Sequence, residues 1–129
     1  MTWIWMFLAL QPNPELGPEE VVRTVADALR HNNAPMPNSG IFTAYRFASP
    51  ENHAETGPYG RFLLTVKTAD FAPMLHEYTG EFGPLRMSGD RAEQLLRIPA
   101  AHATFRFVLS RQKAGTYRGC WMVDGVLRE

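Results

Sequence analysis

The sequence predicts an α+β domain in which N-terminal helices pack on a curved antiparallel sheet. Helical periodicity fills the first half of the chain, and two-residue alternation fills the second. The helices come first and the strands follow without interleaving, and this order excludes an alternating βαβ fold. With 129 residues, 45% of them hydrophobic, the chain is long enough for one core. We therefore expect a single domain over residues 13–129, preceded by an apolar segment over residues 1–12.

The first predicted helix covers residues 18–31. Pro18 suits the first helical turn, where its missing N–H costs nothing, and Glu19 and Glu20 place negative charge at the positive end of the helix dipole. Apolar residues then recur at steps of three and four, which predicts one buried face. This face holds Val21, Val22, Val25, Ala28 and Leu29.

Two shorter helices follow. Residues 41–48 are predicted as a short helix, although eight residues with this pattern are also compatible with a strand. Residues 59–68 are predicted as a third helix, with Gly60 as a weak point near its start. The segments 31–40 and 49–58 are rich in turn-forming residues and are predicted as loops.

The second half contains short alternating segments separated by turn sequences, which is typical of an antiparallel sheet. The predicted strands cover residues 75–82, 92–98, 102–110 and 119–127. The inner face expected from the alternation holds Phe105, Phe107, Leu109, Trp121 and Val123, packed against Val22, Val25, Leu29, Phe62 and Val66. The opposite face of the last strand holds Cys120, Met122 and Asp124.

Charge and cysteine content narrow the class of protein. Thirteen basic and thirteen acidic residues cancel, and no basic run stands out, so a nucleic-acid partner is not expected. The sequence contains no glycine-rich phosphate loop. Cys120 is the only cysteine and has no intrachain partner, which favours a reducing compartment and a cytoplasmic location.

The N-terminal run WIWMFLAL, residues 3–10, is the most apolar segment of the chain. It is too short to span a bilayer and lacks the flanks of a signal peptide, so membrane contact is not expected. Alternate residues of a strand point in opposite directions, so one inner face cannot bury the whole run. A homodimer interface is our first interpretation, and a membrane or another partner is the second.

Several motifs together resemble a known superfamily. The segments PEEVV, GIFTAYRFASPEN, TGPYGRF and FVLSRQ through GCWMVDGV, in this order and spacing, resemble a branch of the nuclear transport factor 2-like superfamily. The resemblance covers residues 13–128 and implies a cone-shaped fold with a central cavity. Members use that cavity for isomerase, dehydratase, hydrolase or cyclase chemistry, or for binding and scaffolding. The acidic residue that follows the short helices in ketosteroid isomerase-like members is replaced here by FASPEN, whose only acid is Glu51.

His76 and Tyr78 are the candidate catalytic pair. They are two residues apart in a predicted strand, so both side chains should point to the same side. A histidine can act as a base near neutral pH, and a tyrosine can donate a hydrogen bond to a developing oxyanion. The alternative is a half-buried polar pair at a sheet edge, without chemistry.

Four further residues are candidate ligand contacts. Tyr45 and Arg46, on the second helix, are placed at the rim of the cavity, where an arginine can hold a carboxylate; an ordinary surface arginine is the alternative. Phe107 and Trp121 are placed on the cavity side of the sheet. Asp124 is assigned to the opposite side by the alternation.

Two functions from different classes fit these observations. The first is a protein or small enzyme that binds a small hydrophobic molecule in the cone cavity, with acid–base chemistry of the isomerase, hydrolase or cyclase kind. The second is a non-catalytic, dimeric interaction or scaffold module. A cavity of ~300 Å³ or more with convergent polar groups favours the first, and a filled interior favours the second. No metal site or cofactor is expected, because the four histidines and Cys120 lack ligand spacing.

Overall fold

The computed structural model describes residues 11–129, and within them it has four α-helices packed on a five-stranded antiparallel sheet. This confirms the α+β class, while the cone shape stays a prediction. The run at residues 3–10 lies outside the described residues. The helices are α1 (Pro18–Arg30), α2 (Ser39–Phe47), α3 (Pro50–Thr56) and α4 (Tyr59–Val66). The strands are β1 (Glu81–Phe82), β2 (Arg86–Ser88), β3 (Arg91–Ile98), β4 (Ala103–Arg111) and β5 (Trp121–Arg128), in the spatial order β1-β3-β4-β5 with β2 paired to β3.

Helix α1 begins and ends where its sequence indicates, to within one residue. Pro18 occupies its first turn, and the Glu20 carboxylate accepts a hydrogen bond from the backbone N–H of Gly17 at 2.9 Å. One face of the helix is buried against the rest of the domain. That face consists of Pro18, Val21, Val22, Val25, Ala26 and Leu29.

Helix α3 replaces most of the loop predicted over residues 49–58, so that prediction is wrong. Ser49 caps the helix by accepting a hydrogen bond from the backbone N–H of Asn52 at 3.2 Å, and Pro50 takes the first helical position. A serine followed by a proline is an ordinary signal for the start of a helix. The sequence prediction gave more weight to the turn-forming residues of the segment and so missed the helix. Residues 41–47 of the segment predicted over 41–48 are helical, as predicted, whereas Ala48 is extended and forms a bridge with Val123.

The strand predicted over residues 75–82 is also largely wrong. A 3-10 turn covers Ala72–Leu75, and strand pairing is limited to Glu81–Phe82, opposite Arg97 and Leu96 of β3. The structure instead adds the short strand Arg86–Ser88, which was predicted as a turn and which forms a hairpin with β3.

The inner sheet face is the predicted one. Phe105, Phe107 and Leu109 of β4 are all fully buried, and Trp121 and Val123 of β5 are buried beside them. They pack in one cluster with Val22, Val25, Leu29 and Phe62, while Val66 is partly buried at its edge.

A β-bulge at Asp124 changes the alternation along β5. Leu109 pairs with Val123, but Val108 pairs with Gly125, so Asp124 is the extra residue. Beyond the bulge Val126 is opposite Phe107 on the inner face, and Leu127 points outwards, where it is 55% exposed.

Candidate functional site

A partly open cleft of about 200 Å³ lies between the helices and strand β5. Its walls are mainly apolar, and helices α1 to α4, the segment after α4 and the strand all contribute to them. The lining residues are Val25, Leu29, Ala44, Asn52, Glu55, Thr56, Phe62, Thr65, Val66, Phe71, Met74, Val123, Asp124, Gly125, Val126 and Leu127.

Helical spacing places the apolar wall. Val25 and Leu29 are four residues apart on α1, and Phe62 and Val66 are four apart on α4, so each pair shares one helix face. On the strand side, the bulge turns Val126 inwards. The cleft therefore depends on the four-residue spacing of apolar residues in α1 and in α4, and on the β-bulge at Asp124.

Polar groups come mainly from helix α3. Asn52 is 8% exposed; its side-chain N–H donates to the carbonyl of Val123 at 3.2 Å, and its Oδ1 accepts from the Thr56 hydroxyl at 3.2 Å. Glu55 is exposed on the same helix, and Thr65 of α4 donates its hydroxyl to the Arg61 carbonyl at 3.0 Å. The carboxylate of Glu55 and the two hydroxyls form a polar border to a cleft whose walls are mainly apolar.

Asp124 also lines the cleft, but its carboxylate is hydrogen-bonded to a residue on the outer face of the sheet. The Oδ1 atom accepts a hydrogen bond at 2.9 Å from the hydroxyl of Ser110, which pairs with Met122 on the outer sheet face. Its Oδ2 atom is buried and has no hydrogen-bond partner. Asp124 was predicted to face away from the core; its Oδ1 atom does contact Ser110 on the outer face, but the residue also lines the cleft.

A second, shallow groove of about 440 Å³ lies at the C-terminal end of α1. Arg30 donates to the carbonyl of Tyr78 at 3.1 Å and to Asp27 at 2.9 Å, and its guanidinium lies 5.4 Å from the centre of the Tyr78 ring. Burial raises the pKa of the Tyr78 hydroxyl; Arg30 lowers it and Asp27 raises it to smaller extents. Arg30 Nε lies 3.7 Å from Glu77 Oε1, so charges of both signs are paired across this groove, and His31 Nε2 lies 3.6 Å from the same oxygen.

The predicted catalytic pair is not brought together in one cavity. His76 follows the 3-10 turn, is exposed, and is not among the residues that line the cleft or the groove. Tyr78 is half-buried and lines the groove. Residues 76 and 78 do not form the strand that would have pointed both side chains to the same side. The catalytic role of His76 and Tyr78 stays a prediction.

Tyr45 is part of an aromatic cluster that joins three helices. Its ring stacks on His53 at 4.2 Å between centres and 20° between planes, and it meets Tyr59 and Phe62 edge-on at 5.3 Å each. A ring nitrogen of His53 also lies 2.8 Å from the Tyr45 carbonyl oxygen. The sequence interpretation missed His53, because it placed that residue in a loop.

The other predicted ligand contacts, Arg46, Phe107 and Trp121, do not line the cleft, and their role as ligand contacts stays a prediction. Arg46 donates to the side-chain oxygen of Gln11 at 2.8 Å and lies over the ring of Phe42 at 5.9 Å. Phe107 is fully buried and Trp121 is 7% exposed, and neither belongs to the cleft lining. Asn52, Glu55 and Thr56 line the cleft instead, and the Ser-Pro start of α3 was the signal that could have revealed them.

Among residues 11–129, no three histidine, cysteine, aspartate or glutamate side chains are grouped so that they could hold a metal ion. Over the same part of the chain, no helix has the length and apolar character needed to cross a membrane.

The fold and the cleft define the class as an α+β protein with a small, mainly apolar cavity between its helices and its sheet. Comparison of the chain with family models, curated proteins and solved structures finds no match.

Proposed function

We propose that this protein binds a small, mainly apolar molecule with one polar end in the cleft between its helices and β5. The observation that carries the proposal is the composition of the lining, in which a few polar groups, Glu55 and Thr56 on α3 among them, border walls made mainly of apolar side chains. Ligand sites generally combine apolar walls with a few placed polar groups in this way. The resemblance to a superfamily whose members use a central cavity supports the same class of function.

The size and the polar groups restrict the ligand. At about 200 Å³ the cleft does not reach the ~300 Å³ set above as favouring a cavity-binding protein, and it is smaller than the ~300–1,000 Å³ typical of sites for drug-sized molecules. The ligand that we propose therefore has fewer atoms than those molecules. The amide of Asn52 is already used by Val123 and Thr56, whereas the carboxylate of Glu55 accepts hydrogen bonds. A hydroxyl or an amine is therefore the polar end that we propose.

The test compares two tryptophan substitutions on α4. Val66 lines the cleft, so Val66→Trp should fill it, whereas Leu64 is 70% exposed and does not line it, so Leu64→Trp is the matched control. We expect mass spectrometry of native protein to find a small apolar compound on the parent chain and on Leu64→Trp, but not on Val66→Trp. Equal ligand content in all three proteins, or none in the parent chain, would count against the cleft.

The outer sheet face supports the second candidate, a homodimeric interaction module. Leu95, Arg106 and Leu127 form one cross-strand row there, and the two leucines are 41% and 55% exposed. Arg106 pairs with Glu129 at 2.7 Å and lies 3.6 Å from Glu93. We propose that two copies join through this row as the alternative function.

Sedimentation of the parent chain and of a Leu95→Glu, Leu127→Glu double variant tests the dimer. A dimer that the double variant dissociates supports it. A parent chain that sediments as a 14.6 kDa monomer at micromolar concentration rejects it.

A further inference from the structure

Strand β5 has one edge that pairs with β4 and a second edge that lies towards the helices. It is the last strand in the order β1-β3-β4-β5 among residues 11–129. On the second edge, the carbonyl of Val123 accepts the backbone N–H of Ser49 at 2.9 Å, and Ala48 forms a parallel bridge with Val123. At this residue the edge therefore already bonds to extended backbone.

The backbone of Val126, beyond the bulge, points to the same edge. In an antiparallel pair, residues that bond across the ladder alternate with residues whose N–H and C=O point away from it. Glu129 donates its N–H to the carbonyl of Thr104 on β4 at 2.8 Å, so Leu127, two residues earlier, also bonds to β4. Val126 occupies the other kind of position, and its N–H and C=O point away from β4.

The cleft lies along this part of the strand. Gly125, Val126 and Leu127 line it from β5, while Thr56 at the end of α3 and Val66 at the end of α4 line it from the helices. A segment paired with the backbone of Val126 could therefore place a side chain in the cleft. Peptides that add to a sheet edge gain affinity from backbone hydrogen bonds and specificity from such pockets.

The charged residues of the cleft favour a basic peptide. Glu55 and Asp124 line it, and the described residues that line it include no lysine, arginine or histidine. The Oδ2 atom of Asp124 is buried and has no hydrogen-bond partner among the described residues. An ammonium group donates strong hydrogen bonds to a carboxylate, so a lysine of a peptide would supply the amine named above as a polar end of the ligand.

We propose that an extended, basic peptide adds to the edge of β5 at Val126 and inserts a small apolar side chain into the cleft. This rests on the proposed function, because it names the class of ligand for the same cleft. The bonds of Ala48 and Ser49 to Val123 support a peptide, since the same edge already pairs with backbone groups three residues away.

The probe is the capped peptide acetyl-Lys-Thr-Val-Thr-Lys-amide, added to the full chain while amide hydrogen exchange is followed by NMR. We expect saturating peptide to slow exchange of the Val126 N–H ~10-fold or more, whereas the N–H of Leu127, which bonds to β4 in both states, should change little. Methylating the backbone nitrogens of the three central residues should abolish binding, and glutamate in place of both lysines should weaken it. Absence of binding, unchanged exchange at Val126, or equal affinity for either control peptide overturns the proposal.

Two substitutions at Val126 isolate the backbone donor. Val126→Pro removes an N–H that the ladder with β4 does not use, which proline tolerates at a strand edge, whereas Val126→Ala keeps it. We expect Val126→Pro to bind the peptide ~10-fold more weakly than Val126→Ala, and equal affinities overturn the proposal. If Val126→Pro does not fold, the methylated peptide with the parent chain decides the same point.

The failure of this proposal is distinguishable from failure of the proposed function. If the peptide does not bind but the copurified compound is lost from Val66→Trp alone, the cleft is a ligand site and the peptide is not its ligand. If the Val126 N–H is protected in the free chain and loses this protection on dilution, a second copy pairs at the edge, which also overturns the proposal.

Discussion

The side-chain amide of Asn52 donates to the backbone carbonyl of Val123 at 3.2 Å and so ties helix α3 to strand β5. The same carbonyl accepts the backbone N–H of Ser49 at 2.9 Å, just before the helix begins. These two bonds hold the polar border of the cleft against its strand wall, so the cleft and the docking of α3 depend on each other.

Replacing Asn52 by alanine is expected to reduce the free energy of unfolding by about 1–2 kcal/mol, because a buried hydrogen-bonding group is lost while Val123 keeps its bond to Ser49. Glu51→Ala, at an exposed position one residue earlier, should change it by less than ~0.5 kcal/mol. Denaturant unfolding measures both. Equal values for the two variants would show that Asn52 does not hold α3 on the strand.

Replacing glycine by alanine is expected to change the stability in opposite directions at Gly40 and at Gly60. A Cβ at Gly40 would overlap the carbonyl oxygen of Ala28 and lie 2.8 Å from the Cα of Asn32, so Gly40→Ala should separate α1 from α2 and cost about 1–3 kcal/mol or more. A Cβ at Gly60 meets nothing within 4 Å, so Gly60→Ala should stabilise α4 by about 0.5–1 kcal/mol. Thermal unfolding gives both signs, and a neutral Gly40→Ala would contradict the close contact of α1 with α2.

Phe107→Ala is expected to lower the free energy of unfolding by about 3–5 kcal/mol, since Phe107 is fully buried between the sheet and the helices. Leu127→Ala should lower it by less than ~1 kcal/mol, because the bulge at Asp124 turns Leu127 outwards. A large loss for Leu127→Ala in denaturant unfolding would mean that the bulge does not form.

Stability should fall at alkaline pH. Burial raises the pKa of Tyr78 in the folded protein, so above about pH 10 the unfolded chain loses this proton first and the free energy of unfolding declines. We expect Tyr78→Phe to make the decline shallower between about pH 9 and pH 11. Both proteins are best compared in a Cys120→Ser background, because the pKa of that thiol is also raised by burial. Identical slopes would show that Tyr78 is not buried as described.

The variant His76→Gln distinguishes a ligand site at His76, as the sequence predicts, from a ligand site in the cleft. Because His76 is exposed and does not line the cleft, we expect this variant to keep the ligand content of the parent chain. Mass spectrometry of the native proteins measures this. Loss of the ligand from His76→Gln would instead support the predicted role of His76 in recognition or catalysis.

The sequence alone was sufficient for the α+β class, for α1 and for the inner face of β4. In each case the information is local: a step of three or four residues places Val25 and Leu29 on one side of a helix, and a step of two places Phe105 and Phe107 on one side of a strand. Burial then follows from which side is apolar.

Most of the candidate site could not be predicted from such local patterns in the sequence. Helix α3 is held by a contact between Asn52 and Val123, which are 71 positions apart, and the residues before β1 turn because Pro73 enters a 3-10 helix rather than a strand. The bulge at Asp124 decides which side of β5 carries Val126, and neither periodicity nor composition reveals the extra residue. Local periodicity therefore determined which faces are buried, and only tertiary packing decided where the cleft lies, because its walls come from residues far apart in sequence.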